Sequence, residues 1–274
     1  MSLSDWLAVF KSSGKEFLAD DCMGLSQQVA YSSLLAFFPA MIFLIAFLDL
    51  IGAYGALIDF LEPVAPQSVT SIIHQLERDT GNASAVLLAL GIFGALWAGS
   101  GAMSSVVKAV NRAYETEETR PLWKVRLISL VLLLASATVL AGDLLLIVLG
   151  GKLGDAIAAR ADQGAAFTWF WNLARWPIGF AVVLLLFAFI YYLGPNHKER
   201  RWRWVTTGSL VGSLMWLVLS GLFALYTSYS SSFTRTYGSL ASGIVLLLWL
   251  NYSAWAVLFG AELNSELDRR RGAN

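Results

Sequence analysis

The chain of 274 residues is short of charge. Lys, Arg, Asp and Glu make up only 14% of it, against roughly 25% in an ordinary soluble domain, so it lacks the polar residues to cover a soluble fold of this size. Nineteen basic residues balance nineteen acidic ones, and no excess of positive charge points to a nucleic-acid partner. The single cysteine, Cys22, excludes an internal disulfide and a multi-thiolate metal site. Two histidines, His74 and His197, are too few for a histidine-built metal centre. There is no Walker A loop, HExxH, paired CxxC or nucleophile elbow. No catalytic residue, metal or cofactor is therefore expected.

What the chain has in abundance is apolar surface: 57% of its residues are hydrophobic and the mean hydropathy is +0.62. A lipid-spanning helix needs about 20 mostly apolar residues, because no water is present to satisfy the backbone. Six windows meet that requirement: 28–51, 84–107, 127–150, 177–194, 205–227 and 238–261. The expected fold is all-α, one integral membrane domain over residues 1–274 with six transmembrane helices. Placing the N-terminus inside puts fourteen basic residues on the inner segments and five on the outer ones. That asymmetry predicts cytoplasmic termini and a multi-pass protein of the bacterial inner membrane. The first residues carry acids and lysines and no apolar run, so no cleavable signal is read there.

Before the first span, Leu3, Trp6, Leu7, Phe10, Phe17 and Leu18 share one helical face, with Lys11 and Lys15 off it. This pattern predicts an interfacial amphipathic helix over 1–24, with packing on cytoplasmic loops as the alternative. Val69, Ile72, Ile73 and Leu76 repeat the periodicity on the outer side, and Trp169, Phe170, Trp171 and Trp176 suggest an aromatic belt. Small residues mark three helices: Gly91, Gly94, Ala98, Gly99 and Ala102 in the second span, Gly208 and Gly212 in the fifth, and Gly238, Ser239, Ser242 and Gly243 in the sixth. Close helix approach in lipid needs such residues, so these three spans are expected to form the packed centre. The same GxxxG face would also suit a homo-oligomer.

Several residues stand out as chemistry-bearing. Pro39 interrupts the first span and is a candidate hinge, since its ring removes a donor and crowds the carbonyl of Leu35. Asp143 lies inside the third span, where an ionised carboxylate is costly. It is either a proton or ion site, or an acid that fixes helix packing. Asn251 and Glu262 are eleven residues apart, about three turns, and should face one way among Trp249, Tyr252 and Trp255. Glu262 is read as a substrate contact or as an ion pair with Arg112 or Arg120. Two segments on the inner side, Asn111-Arg112-Ala113-Tyr114 through Arg120-Pro121 and Arg200-Arg201-Trp202-Arg203-Trp204, mix Arg with aromatics. That mixture suits the headgroup layer.

The run Trp97-Ala98-Gly99-Ser100-Gly101, followed by Asn111-Arg112-Ala113-Tyr114 and Arg120-Pro121, resembles the YihY/BrkB family of bacterial inner-membrane proteins. So do Tyr191-Tyr192-Leu193-Gly194-Pro195, Thr236-Tyr237-Gly238-Ser239-Leu240, Trp249-Leu250-Asn251-Tyr252 and Gly260-Ala261-Glu262-Leu263-Asn264. The resemblance covers roughly residues 10 to 268. It implies Asn111, Arg112, Tyr114, Arg120, Tyr237, Gly238, Trp249 and Glu262 as candidate substrate-binding residues, to which the residue reading adds Asn251. The family has carried a ribonuclease label, but the chain lacks the clustered metal ligands and the aqueous domain that such a nuclease needs. The family's association with envelope lipid transport implies a transporter or flippase-like protein for an amphipathic anionic lipid, with membrane lipids as its partners. A proton-coupled cation transporter using Asp143 is the alternative. A non-transporting scaffold bound to an envelope protein is the third.

Overall fold

A computed structural model describes residues 2–50, 85–160, 165–197, 204–229 and 240–272. Every regular element among them is a helix: α1 Leu3–Ala19, α2 Cys22–Leu50, α3 Ala85–Ala113, α4 Leu122–Arg160, α5 Ala165–Leu193, α6 Thr207–Tyr229 and α7 Leu240–Arg270. The last six are each long and apolar enough to cross a membrane. This is the all-helical, six-span architecture that the hydropathy demands, since a helix satisfies its own amides where water is absent.

The boundaries differ from the sequence reading in informative ways. α2 starts at Cys22 rather than residue 28, and α7 runs nine residues past Ala261. Both extensions carry polar side chains that bond other helices instead of water, so they escape a hydropathy window. Residue 177 marks the expected start of the fourth span, yet α5 begins at Ala165 and continues through Pro177. Proline is tolerated there because neighbouring helices in a membrane protein can re-satisfy the freed carbonyl. α2 likewise runs unbroken through Pro39, whose ring lies over Gly94 of α3.

α1 opens with a capping box: Ser2 Oγ accepts from the Asp5 amide at 3.2 Å while Asp5 Oδ2 accepts from the Ser2 amide at 2.7 Å. It ends at Asp21, whose φ of 53° is the left-handed stop that short polar side chains tolerate. The chain then reverses into α2. α1 packs along the end of α7, burying Val9 with Leu263 and Leu267, while Phe10 and Phe17 meet Phe259 at 6.4 and 6.2 Å. Leu3, Leu7 and Leu18 stay exposed on the other edge. The apolar stripe is thus divided between a packed face and an uncovered one.

Of the three small-residue helices, α7 packs on both α3 and α6, but among the described residues α3 and α6 do not pack closely on each other. α3 packs on α2 and α4, and α6 packs on α7 and α5. Gly91 and Gly94 face Phe43 and Pro39 of α2, whereas Gly99 faces Leu133 of α4. The small residues of α3 therefore serve two partners on two faces, which spacing alone does not separate. The fifth-span pair behaves as expected. A Cβ on Gly208 would overlap the Gly260 carbonyl, and one on Gly212 would lie 2.9 Å from the Ala256 carbonyl. α6 and α7 thus touch backbone to backbone.

Buried apolar side chains gather toward the end of the bundle that holds both termini, with Val107, Val110, Leu132, Phe187, Ile190 and Leu258 among them. Farther along, Phe38, Phe93, Trp97, Leu217 and Leu222 are exposed. Of the four aromatic residues expected at the outer edge, Trp169, Phe170 and Trp176 are exposed and Trp171 is half-buried. The Val69–Leu76 segment, the Arg/Trp residues 200–203, Tyr237, Gly238 and Ser239 lie outside the described residues.

Gly208→Leu is expected to destabilise the protein by about 3 kcal/mol or more through overpacking. Gly221→Ala, whose new methyl meets nothing within 4 Å, is expected to leave stability unchanged or raise it by about 0.5 kcal/mol. Thermal unfolding of the detergent-purified variants checks both.

Candidate functional site

The end of a helix leaves its last carbonyls without partners, and a buried end must find donors for them. At the terminal end of the bundle this need is met by a polar layer. Asn111, 4% exposed in the last turn of α3, is its hub. Its Oδ1 accepts from Thr116 Oγ1 at 3.0 Å and from the Asn196 amide at 2.8 Å, and its Nδ2 donates to Glu118 Oε2 at 2.8 Å. Glu118 in turn receives Arg120 Nε at 2.7 Å and the Arg120 amide at 3.0 Å. The far side of the same guanidinium donates to the Leu193 carbonyl at 3.3 Å and the Gly194 carbonyl at 2.8 Å, capping α5. Asn196 completes the knot by donating to the Glu117 carbonyl and to Thr119 Oγ1, each at 2.8 Å. The Arg120 hydrogen bonds hold the Glu118 carboxyl below the usual carboxylate range.

The two arginines expected to share a headgroup role are therefore placed very differently. Arg120 has a side chain only 6% exposed, with donors committed to Glu118 and two carbonyls. Arg112 is 62% exposed and among the described residues makes one ion pair, 3.1 Å to Asp20. Neither reaches Glu262, which corrects the expected ion pair. Glu262 is 3% exposed and accepts from the Cys22 thiol at 3.3 Å, with Cys22 itself fully buried. Tyr114 is buried too, its ring edge-on to His197 at 5.0 Å.

Two turns of α7 carry a second polar set. Asn264 accepts from the Gly208 amide at 2.8 Å and donates to Thr206 Oγ1 at 2.9 Å, satisfying the start of α6. Glu266 is 4% exposed and takes Arg270 Nε at 2.6 Å and a charged hydrogen bond from Arg269. Arg269 also lies 3.8 Å from Glu16 and 3.6 Å from Glu115, tying α1 and the α3–α4 turn to α7. Tyr191 threads between α6 and α7 to donate to the Val257 carbonyl at 2.8 Å. Asn111, Arg112, Tyr114, Arg120 and Glu262 are candidates in the sequence reading, whereas Glu118, Tyr191, Asn196, Asn264, Glu266 and Arg269 are not. Asn264 and Asn196 sit inside the quoted motif runs or directly after one, which was the available signal.

The remaining candidates lie away from this layer. Trp249 Nε1 donates to Ser220 Oγ at 3.1 Å and Trp216 Nε1 to Ser253 Oγ at 3.0 Å, so Trp249 fastens α7 to α6. Asn251 is half-buried, about 16 Å along α7 from Glu262 at the helical rise of roughly 1.5 Å per residue. Asp143 faces α5: its Oδ1 lies 3.0 Å from where a Cβ of Gly179 would be, so that glycine makes the notch that admits the carboxylate. That oxygen is buried without a hydrogen-bond partner among the described residues. Ser32 of α2 shares a hydroxyl hydrogen bond with Ser105 of α3 at 3.1 Å.

Arg120→Gln is expected to cost about 3 kcal/mol, because it strands Glu118 and two carbonyls. Arg112→Gln removes an exposed pair worth less than about 1 kcal/mol. Melting temperatures of the two variants in the same detergent distinguish a cap from a free cation: a large drop for the first and almost none for the second.

Comparison with known proteins agrees with this membrane architecture. The family model described as virulence factor BrkB matches residues 13–274. The ribonuclease-like protein YfkH of Bacillus subtilis is 32% identical over 250 residues, 90% of each chain. A UPF0761 membrane protein of Alteromonas mediterranea is 27% identical, over 97% of this chain and 88% of its own length. Another from an Azoarcus species is 24% identical over 93% of this chain, which spans only 62% of that longer relative. No solved structure matches the chain. Neither the family's description nor the membrane-protein names assign a catalytic activity, and the polar layer is spent on helix ends. With a match over nearly its whole length and six membrane-crossing helices, this chain belongs to the BrkB family of bacterial membrane proteins.

Proposed function

We propose that this protein moves an amphipathic, anionic lipid across the bacterial inner membrane, with both termini on the cytoplasmic side. The observation that carries the reading is Arg112. It lies in the last turn of α3, stays 62% exposed, and among the described residues has a single ion-pair partner, Asp20, so most of its guanidinium donors are available to a phosphate oxygen. The uncovered Leu3, Leu7 and Leu18 edge of α1 supports it, since such an edge suits a helix lying in the headgroup layer. The fourteen basic residues on the terminal side support the orientation. Arg120 drops out as a headgroup ligand in this reading and becomes the brace of the floor beneath Arg112. Tyr114, Asn111 and Glu262 likewise shape that floor.

A second reading is favoured by the buried, unpartnered Oδ1 of Asp143 beside Gly179. A carboxylate so placed within a span is a candidate for carrying a proton. In that reading Asp143 couples a cation flux to pH.

In proteoliposomes, Arg112→Gln is expected to lower the rate of labelled anionic phospholipid movement by about tenfold, the worth of one charge-assisted hydrogen bond. Movement at the wild-type rate would remove Arg112 from the headgroup path. For the second reading, Asp143→Asn is expected to flatten the pH dependence of cation flux. A pH profile that survives the substitution would rule Asp143 out as the carrier.

A further inference from the structure

Arg126, in the second turn of α4, is a cation that the polar layer does not use. Ser104 Oγ donates to Ser129 Oγ at 2.9 Å and Gly99 faces Leu133, so α3 and α4 run antiparallel and the backbone of Arg126 lies level with Val107. Its guanidinium does not stay there. Nη2 donates to the Trp97 carbonyl at 2.6 Å, Cζ lies 4.7 Å from the centre of the Trp97 ring, and Nη1 lies 3.6 Å from where a Cβ of Gly101 would be. Gly101 is six residues from Val107, about 9 Å at the helical rise of roughly 1.5 Å per residue. The side chain therefore reaches away from the polar 114–121 turn and toward the middle of the spans.

A long basic side chain near a helix end ordinarily snorkels the other way, toward water and headgroups. Arg126 runs against that preference, and among the described residues it has no carboxylate within the 4.0 Å of an ion pair. Its one hydrogen bond leaves most of its five donors unspent. Around it the surface is apolar and uncovered: Trp97 is 65% exposed and stacked on an equally exposed Phe93 at 6.0 Å, with Trp123 and Leu127 exposed on α4. An unpaired cation on such a surface calls for an anion that itself carries hydrocarbon.

We infer that Arg126, Trp97 and Gly101 form a binding site on the α3–α4 seam for an anionic phospholipid, held by its phosphodiester. Gly101 lies alongside the guanidinium, where an added Cβ would meet Nη1 at an ordinary contact distance of 3.6 Å. Its outer edge offers paired N–H groups to two phosphate oxygens, the geometry that arginine forms best. Trp97 backs the guanidinium by a cation–π contact, and the acyl chains lie over Phe93 and Leu127. This deepens the proposed lipid function by giving the headgroup a second station, nearer mid-membrane than Arg112. It does not need movement to be true, because binding is read without translocation.

The test is native mass spectrometry of the full-length protein in detergent, titrated with phosphatidylglycerol. Arg126→Gln is expected to weaken the tightest-bound phosphatidylglycerol by about tenfold, and Arg126→Lys to restore part of the loss. Trp97→Leu, at an exposed ring whose loss leaves the core intact, is expected to weaken it by about threefold. Unchanged occupancy in Arg126→Gln, with an unchanged unfolding temperature, would overturn the site. Should Arg126→Gln fail to fold, unchanged occupancy in folded Trp97→Leu overturns it instead. Displacement of the lipid by soluble glycerol phosphate at comparable concentration would overturn the lipid assignment in favour of a free-phosphate site. A null result in the proteoliposome assay touches none of these readings.

Discussion

A helix that ends inside a bundle must find donors for carbonyls that have no amide ahead of them, and the base of this protein is organised around that requirement. Arg120 answers it for α5, with one plane of N–H groups shared between Glu118 and the Leu193 and Gly194 carbonyls. Asn111 extends the same network to the end of α3 and to Asn196. Asn264 serves the start of α6. Because these polar groups link the α3–α4 turn to the end of α5 and α7 to the start of α6, the crossing helices are locked at one end. The hydrophobic driving force that clamps soluble bundles is absent between helices in lipid. Close backbone contact at Gly208 and Gly260 and these charge-assisted bonds take its place.

The number and character of the helices were legible in the sequence because the bilayer imposes a single length and composition on every span. Helix ends were not, and the reason is visible at α2 and α7. The residues that extend them, such as Ser26, Glu262 and Glu266, are polar in composition yet buried in the structure. A hydropathy window reads them as loop. Likewise, the motif residues were recognisable as a group, but their partners were not. Arg112 and Arg120 look alike in sequence, and only the positions of Asp20, Glu118 and the end of α5 make one a free cation and the other a cap. Glu262 found a thiol rather than a guanidinium because Cys22 begins the helix packed against α7.

Above the base, the character of the surface changes. Aromatic and aliphatic side chains are exposed along α2, α3, α4 and α6, where they meet acyl chains or one another rather than water. Asp143 and Arg126 are two charged groups that depart from this pattern, and each sits beside a glycine, Gly179 and Gly101. The pairing is physically sensible. At Gly179 the missing Cβ supplies the groove, since one built there would come within 3.0 Å of the Asp143 carboxylate.

The burial of Cys22 has a practical side. As the chain's only thiol, enclosed by α2 and α7 and bonded to Glu262, it is shielded from alkylating reagents for as long as the base stays shut. A cysteine introduced at any exposed position would then be the sole reactive sulfur on the molecule. Maleimides that cannot cross a bilayer would report which side each such position faces, and slow labelling of the native thiol would time the opening of the base itself.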